Sequence, residues 1–511
     1  MTNAPREASN ASQARKKALL GFMALSMALA FAGWNLSTWP GRIRYPGDWS
    51  SVEGIPLVEM LHLSQGVPIY SSFSPNRFDA ANYGPFYYLI GAQLIGSPVT
   101  AYLPFRLLSV LATLGCAAAC ALLAFLLSKS YFATLLAPLL FLAWSFVTYY
   151  GTSARCDSFA LLLFFLGSLA AFRLERSRLL PLAAPLMLLG FFYKQQFVAG
   201  PFAVVLSLLL KKEYRRALEF GAALGIGGLG LLGFFQFVAF PGQAFLQHFL
   251  GYNLLSFSAT RLASGALIFG IMFLVPLLVG FEFLRVYPDT FLRCYLGCAA
   301  VLALLAMGRQ GSDTNYFLEC ALIVSPLFAA LLAKRIAEPA RAAELLALLA
   351  VTLLVGQLFA PDPPLREDID RDRAVQDYLR HNFSPGTRAL SYYTGDLMRA
   401  GLEIPISNLF HYVWLIRKGT FSEQALVDQL RDRRFPAIVV NYDLQTPTGP
   451  DKLEVFLTEG IRQAILANYQ LATSLEAPRP ERIREGARFD VWVPRSEVSP
   501  VASPERGPTE P

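Results

Sequence analysis

YPGDWSSVEGIPLVEMLHLSQGVPIYSSFSPNRFDAANYGPFYYLIG, residues 45–91, lies between two apolar runs, Ala18–Ser37 and Leu107–Leu127. The runs are long enough to cross a bilayer, and the stretch between them is polar, aromatic and acidic. It therefore reads as a large loop, roughly 38–104, exposed on one side of a membrane. Asp48 and Glu53 stand at its start. Asp157 follows the third apolar run of the chain, and Asp313 follows the ninth. Acids collected at the same end of several spans have no packing role that explains them. They suit chemistry at a membrane surface.

Composition supports this frame. The 511 residues are 54% hydrophobic and the mean hydropathy is +0.42. Those values fit an α-helical multi-pass membrane protein. Further apolar runs cover Tyr131–Tyr149, Phe159–Phe172, Leu179–Tyr193, Phe197–Leu210, Ala217–Phe240, Ala266–Gly280, Cys294–Met307, Phe317–Ala333 and Leu345–Ala360, which makes about eleven spans. Several are short enough for a re-entrant helix. Alternate loops carry Lys129, then Arg173/Arg176/Arg178, Lys211/Lys212/Arg215/Arg216, Arg285/Arg293 and Lys334/Arg335/Arg341. By the positive-inside rule these loops and residues 1–17 are cytoplasmic. The first run reads as an uncleaved anchor rather than a signal peptide, because it continues apolar through Trp34. The net charge of +7 reflects this topology, and no basic stretch carries a nucleic-acid pattern.

The opposite face receives the 38–104 loop, the short loops around Arg155–Asp157, Lys194–Gln196 and Gly308–Tyr316, the loop Pro241–Gly265, and everything after Pro361-Asp362-Pro363-Pro364. Polar helices at Ile369–His381, Ser422–Arg433 and Asp451–Tyr469 alternate there with strand-like Ala437–Asn441 and Phe489–Val493. Residues 361–498 are expected to form a small extracytoplasmic α/β domain, and 499–511 a disordered tail.

Several motifs have structural readings. Gly225, Gly227 and Gly230 match GxGxxG inside an apolar run with no preceding strand, so helix packing through small residues is expected. Cys116/Cys120 and Cys294/Cys298 read as helix contacts, and the four histidines are too scattered for a metal site. Other motifs carry chemistry. Glu53 heads an amphipathic pattern (Ile55, Leu57, Val58, Leu61, Leu63) expected to lie on the membrane surface. SARCDSF places Arg155 and Asp157 at a helix start, where Asp157 would also suit an N-cap. YKQQF places Lys194 and Gln195 on the side where cations are disfavoured. GRQGSDTNYFLE crowds Arg309, Asp313, Asn315 and Tyr316 between two spans, and Glu319 enters the second of them needing a partner. Acids and cations at one face suit glycosyl transfer from a polyprenyl-phosphate sugar. Cations hold the leaving phosphate, and a carboxylate deprotonates the acceptor hydroxyl.

On DWSSVEG, GVPIY, NYGPFYY, RCD, KQQ and GSDTNYFLE, in that order and sidedness, residues 18–333 resemble the GT-C superfamily of membrane glycosyltransferases. The resemblance is strongest to the bacterial branch related to protein mannosyltransferases and the lipid A aminoarabinose transferase. It implies a GT-C-like multi-spanning helical fold, a polyprenyl-phosphate sugar donor, and a lipid, glycan or protein acceptor among the membrane lipids. It implies a catalytic acid in the first loop, either Glu53 or Asp48, and a second at Asp157. This chain has Tyr83-Gly84-Pro85 where relatives often carry a lysine or similarly polar residue. Lys194, Arg155, Arg309 or Arg77 must then contact the phosphate, while Tyr83, Gln195, Asp313, Asn315 and Tyr316 are candidate substrate contacts. Asp48, Glu53 and Asp157 would be the ligands if a divalent cation (magnesium or manganese) assists. Two alternatives come from other classes. One is a transporter or lipid flippase, the other a non-catalytic membrane scaffold.

Overall fold

A computed structural model describes residues 4–48, 52–72, 74, 76–98, 100–358, 366–441, 443–445, 457–476 and 488–495. The Pro361–Pro364 boundary, the tail 499–511 and the first residues of the helix expected at Asp451–Tyr469 lie outside these.

Each apolar run of the sequence becomes a helix. The chain opens with α1 (Ala4–Ser37) and α2 (Trp39–Arg44), and the first loop carries α3 (Gly54–Ser64) and α4 (Pro85–Leu94). Then come α5 (Tyr102–Ser128), α6 (Tyr131–Leu142), α7 (Ser145–Gly151), α8 (Asp157–Leu174), α9 (Ala184–Tyr193), α10 (Ala199–Leu210) and α11 (Tyr214–Phe234). The membrane part closes with α12 (Ala259–Val286), α13 (Thr290–Met307), α14 (Leu318–Arg335) and α15 (Pro339–Gln357). Among the described residues eight helices are long and apolar enough to cross a membrane, or nine if α6 and α7, bent by 72°, form one broken span. This is a multi-pass membrane protein. The expected eleven spans shrink because Leu180–Tyr193 and Ala199–Leu210 are shorter apolar helices. The 12 residues of α10 reach only about 18 Å, against a hydrocarbon core of about 30 Å.

α14 is the hub, with 89% of its apolar window buried, and it packs against α5, α6, α12 and α13. Its Glu319 accepts from the Gly200 N–H at 3.3 Å, which answers the need for a partner. α11 is the opposite case, with 6% buried. Of its glycines, Gly221, Gly225, Gly230 and Gly233 meet nothing within 4 Å, whereas Gly227 and Gly228 abut Leu188 of α9. Of the three glycines of the GxGxxG match, Gly227 alone makes a close approach among the described residues, where a Cβ would lie 2.6 Å from Leu188.

After the membrane part come α16 (Arg366–Asn382), α17 (Thr394–Arg399), α18 (Leu409–Arg417), α19 (Gln424–Arg431) and α20 (Glu459–Asn468). They surround a four-stranded sheet in the order β1 (Ala389–Ser391), β2 (Ala437–Val440), β4 (Arg488–Pro494), β3 (Tyr469–Glu476). β1 and β2 are parallel and the other pairs antiparallel. This layer grips the first loop. Phe78 bridges Ile406, and the Ser407 hydroxyl donates to Glu59 at 2.7 Å. Gly54 and Gly395 touch backbone to backbone, so a Cβ at Gly54 would lie 2.4 Å from the Gly395 nitrogen.

That grip corrects the expectation for α3. Residues Gly54 through Met60 are all buried, so the helix is enclosed by α4 and α17 rather than lying on a membrane surface. Inside it, Glu59 also accepts from the Ala81 N–H at 2.9 Å and the Tyr88 hydroxyl at 2.7 Å. Burial, and then the nearby Asp79, push its carboxyl up from 4.5 to about 7. The folded state holds this proton more tightly than the unfolded chain does. The linked stabilisation is therefore fully present below pH 4.5 and lost as pH rises through about 7. The melting temperature should fall across that window, and Glu59→Gln should flatten the dependence. A parallel slope in wild type and variant would refute the assignment.

Candidate active site

The RCD, KQQ and GSDTNYFLE loops converge on one carboxylate. Asp157 opens α8 and its side chain is fully buried. Its Oδ1 accepts from Lys194 Nζ at 2.5 Å and Asn315 Nδ2 at 2.8 Å, and its Oδ2 accepts from Arg155 Nε at 3.0 Å. It does not act as a side-chain N-cap, because all its bonds run sideways to these partners. Lys194 ends α9 at the tip of the hairpin with α10. The lysine side chain is 8% exposed. Burial is the largest influence and opposes its charge, but Asp157 together with Cys156 and Tyr83 outweighs it, and its pKa is raised. Its Nζ also lies 5.3 Å over the Tyr83 ring, and the Arg155 guanidinium lies 5.1 Å over that of Tyr150.

Two buried cations against one carboxylate leave this cluster one positive charge in excess. An uncompensated buried charge is costly, and an anion arriving beside it is strongly favoured. The space for one is present. A cavity of about 660 Å³ lies against the cluster and is walled by Tyr83, Arg155, Lys194, Gln195 and Asn315. The lining also includes Arg309, Asp313 and Tyr316. A bridge between Phe257 and Arg309 holds this segment, Arg309 Nη1 donates to the Tyr316 hydroxyl at 3.2 Å, and Arg309 Nε is buried without a partner among the described residues. Asp313 accepts from the Thr314 N–H at 2.6 Å.

The other expected residues sit elsewhere. Glu53 is not in the wall; its neighbour Val52 is. Glu53 is fully buried and faces Arg106, which donates from Nε at 3.1 Å and from Nη2 at 2.7 Å, and it also accepts from the Ala154 N–H. Both its oxygens are occupied in this arrangement, turned towards Arg106 and the Ala154 N–H rather than into the cavity. Asp48 accepts from the Gly54 N–H at 2.9 Å beneath α17. Arg77 pairs with Asp79 at 2.9 Å, away from Lys194 and Arg155, so the structure does not bring it to the phosphate cluster. Asp48, Glu53 and Asp157 therefore do not gather as metal ligands. Among the described residues no group of three His, Cys, Asp or Glu could hold an ion.

The C-terminal layer supplies part of the wall that sequence reasoning missed: Tyr392, Asn408, Phe410 and His411. Burial, and then Arg309, hold the His411 imidazole down at about 3, so it is neutral at physiological pH, and its Nε2 has no partner. Nothing in the spacing of these residues ties them to residues 309–316. Gln196 and Asn82 were also missed, though KQQ contains the first.

The fold itself has solved counterparts. ArnT from Cupriavidus metallidurans bound to undecaprenyl phosphate superposes with a TM-score of 0.52 at 11% identity, over 93% of this chain and 99% of that one. The same protein in the apo state gives 0.50 at 11% identity, over 91% and 97%. No family model matches the sequence, and no curated protein matches it. At this identity the likeness shows the fold, and it agrees with the GT-C resemblance read from the outer motifs.

Proposed function

We propose that the chain is a membrane glycosyltransferase that moves a sugar from a polyprenyl-phosphate donor to a lipid, glycan or protein acceptor. The observation that carries this reading is the positive excess at Lys194, Arg155 and Asp157 beside a cavity among membrane helices. The fold shared with ArnT, solved with undecaprenyl phosphate, supports it. The outer ends of the spans would face the periplasm of a bacterial inner membrane, with the N-terminus cytoplasmic, as the loop cations argue.

Lys194 and Arg155 would hold the donor phosphate, with Arg309 in the same lining. Asp157 keeps both cations charged and aimed. Asp313 is the one carboxylate in the wall among the described residues, and it would take the role of base. It would accept the proton of the acceptor hydroxyl as that oxygen attacks the anomeric carbon. The carbon–oxygen bond to phosphate breaks on the opposite face, which gives inversion and releases polyprenyl phosphate.

Asp313→Asn should lower kcat by about 10²- to 10⁴-fold with little change in KM for the donor. Donor consumption in lipid nanodiscs, with membrane extract as acceptor source, measures it. An unchanged kcat removes Asp313 from the chemistry.

A further inference from the structure

Asn315 is 5% exposed, and its side chain can sit only one way round. The Asp157 carboxylate accepts and cannot donate, so the amide NH₂ of Asn315 must face it. The same Nδ2 donates to Gln196 Oε1 at 2.9 Å. This turns the Gln196 amide so that its Nε2 is left over, while Asn315 keeps its Oδ1. Among the described residues both leftover atoms are buried and have no partner, and both residues line the cavity beside Lys194 and Arg155. A buried donor and a buried acceptor left unpaired in native protein carry a penalty that a ligand removes.

Their polarity limits what that ligand offers. An ammonium has only donors, so it satisfies Asn315 Oδ1 and leaves Gln196 Nε2 unpaired. A carboxylate or phosphate oxygen does the reverse. A pair of neighbouring hydroxyls satisfies both. The group nearest a phosphate on Lys194 and Arg155 is the sugar one bond away from it. We propose that Gln196 and Asn315 form a subsite that reads two adjacent neutral hydroxyls of the donor sugar, so that the enzyme selects a hydroxyl over an ammonium at the position facing Gln196 Nε2. This rests on the transferase reading above. Gln196 is the specificity residue, and the Asp157–Asn315 pair fixes its orientation.

The test uses the full chain in lipid nanodiscs with membrane extract as acceptor source. Three polyprenyl-phosphate donors are compared by mass spectrometry: a neutral hexose, its deoxy analogue lacking one ring hydroxyl, and its amino analogue at the same position. At the position facing Gln196 Nε2 the wild type should favour the hydroxylated donor in kcat/KM by about 10- to 100-fold over either analogue. Gln196→Ala should lower kcat/KM for the hydroxylated donor towards that of the deoxy analogue. Gln196→Glu, which exchanges the leftover donor for an acceptor, should move preference towards the amino donor. A wild type that prefers the amino donor overturns the proposal, as does a ranking that survives unchanged in both variants. A wild type with a native melting transition that consumes no donor overturns the transferase reading, and this subsite with it. That failure is visible before any variant is compared.

Discussion

Lys194→Ala is expected to weaken binding of undecaprenyl phosphate by on the order of 100-fold. The wild-type cluster holds Lys194 at 2.5 Å and Arg155 at 3.0 Å from Asp157, all three nearly or fully buried. Its excess charge of one is the attraction for an anion. Removing the lysine leaves one cation and one carboxylate, an excess of zero, so the attraction disappears along with the contact. Lys194→Arg keeps the charge and should retain most of the affinity, which separates electrostatics from loss of fold. Native mass spectrometry or titration in nanodiscs reads the affinity. Binding by Lys194→Ala at the wild-type level would show that the phosphate lies elsewhere.

The second large effect is on stability. Arg106 is fully buried at the start of α5, and every one of its nitrogens is used. Besides its two bonds to Glu53, Nη1 donates to the Tyr45 carbonyl at 2.5 Å and Nη2 to the Gly47 carbonyl at 2.7 Å. Glu53 in turn accepts from the Ala154 N–H, immediately before Arg155. One guanidinium thus joins the first loop to the turn that aims the phosphate cluster. Arg106→Leu strips the buried Glu53 of its cation, and should cost about 3–5 kcal/mol. The melting temperature should drop by many degrees, and donor affinity should fall with it although residue 106 touches no substrate. Glu53→Gln keeps an acceptor for the Ala154 N–H and should be milder than Arg106→Leu. A melting temperature for Arg106→Leu within a degree of wild type would mean that the buried pair does not organise this loop.

These two predictions mark where the sequence was legible. Hydropathy exposes helices because a run that must satisfy its backbone inside a membrane has no other solution, and each apolar run did become one. Lys194, Arg155, Asp157 and Asn315 stood out as polar residues interrupting apolar runs at one face, which is why they could be picked out without coordinates. Arg106 sits one residue before the apolar run Leu107–Leu127 and reads as a boundary cation, so its part in the core was hidden. Glu53 stood out for the same reason as Asp157, but which way a loop carboxylate points depends on a partner 53 residues away. The burial of α3 was hidden too, because its second face is covered by α17, more than 300 residues later. The same distance separates Asn408, Phe410 and His411 from the first-loop residues whose cavity they share, and local pattern carries no trace of it.

The central claim is that the cavity turns over a polyprenyl-phosphate sugar. The most direct measurement is mass spectrometry of a panel of such donors incubated with the wild-type chain in lipid nanodiscs and membrane extract, with Asp313→Asn alongside. The account predicts that one donor is consumed, that polyprenyl phosphate and a glycosylated acceptor appear together, and that the variant produces neither at a comparable rate. Intact donors throughout, from protein with a native melting transition, would contradict it and favour a membrane protein that binds polyprenyl phosphate without making a bond.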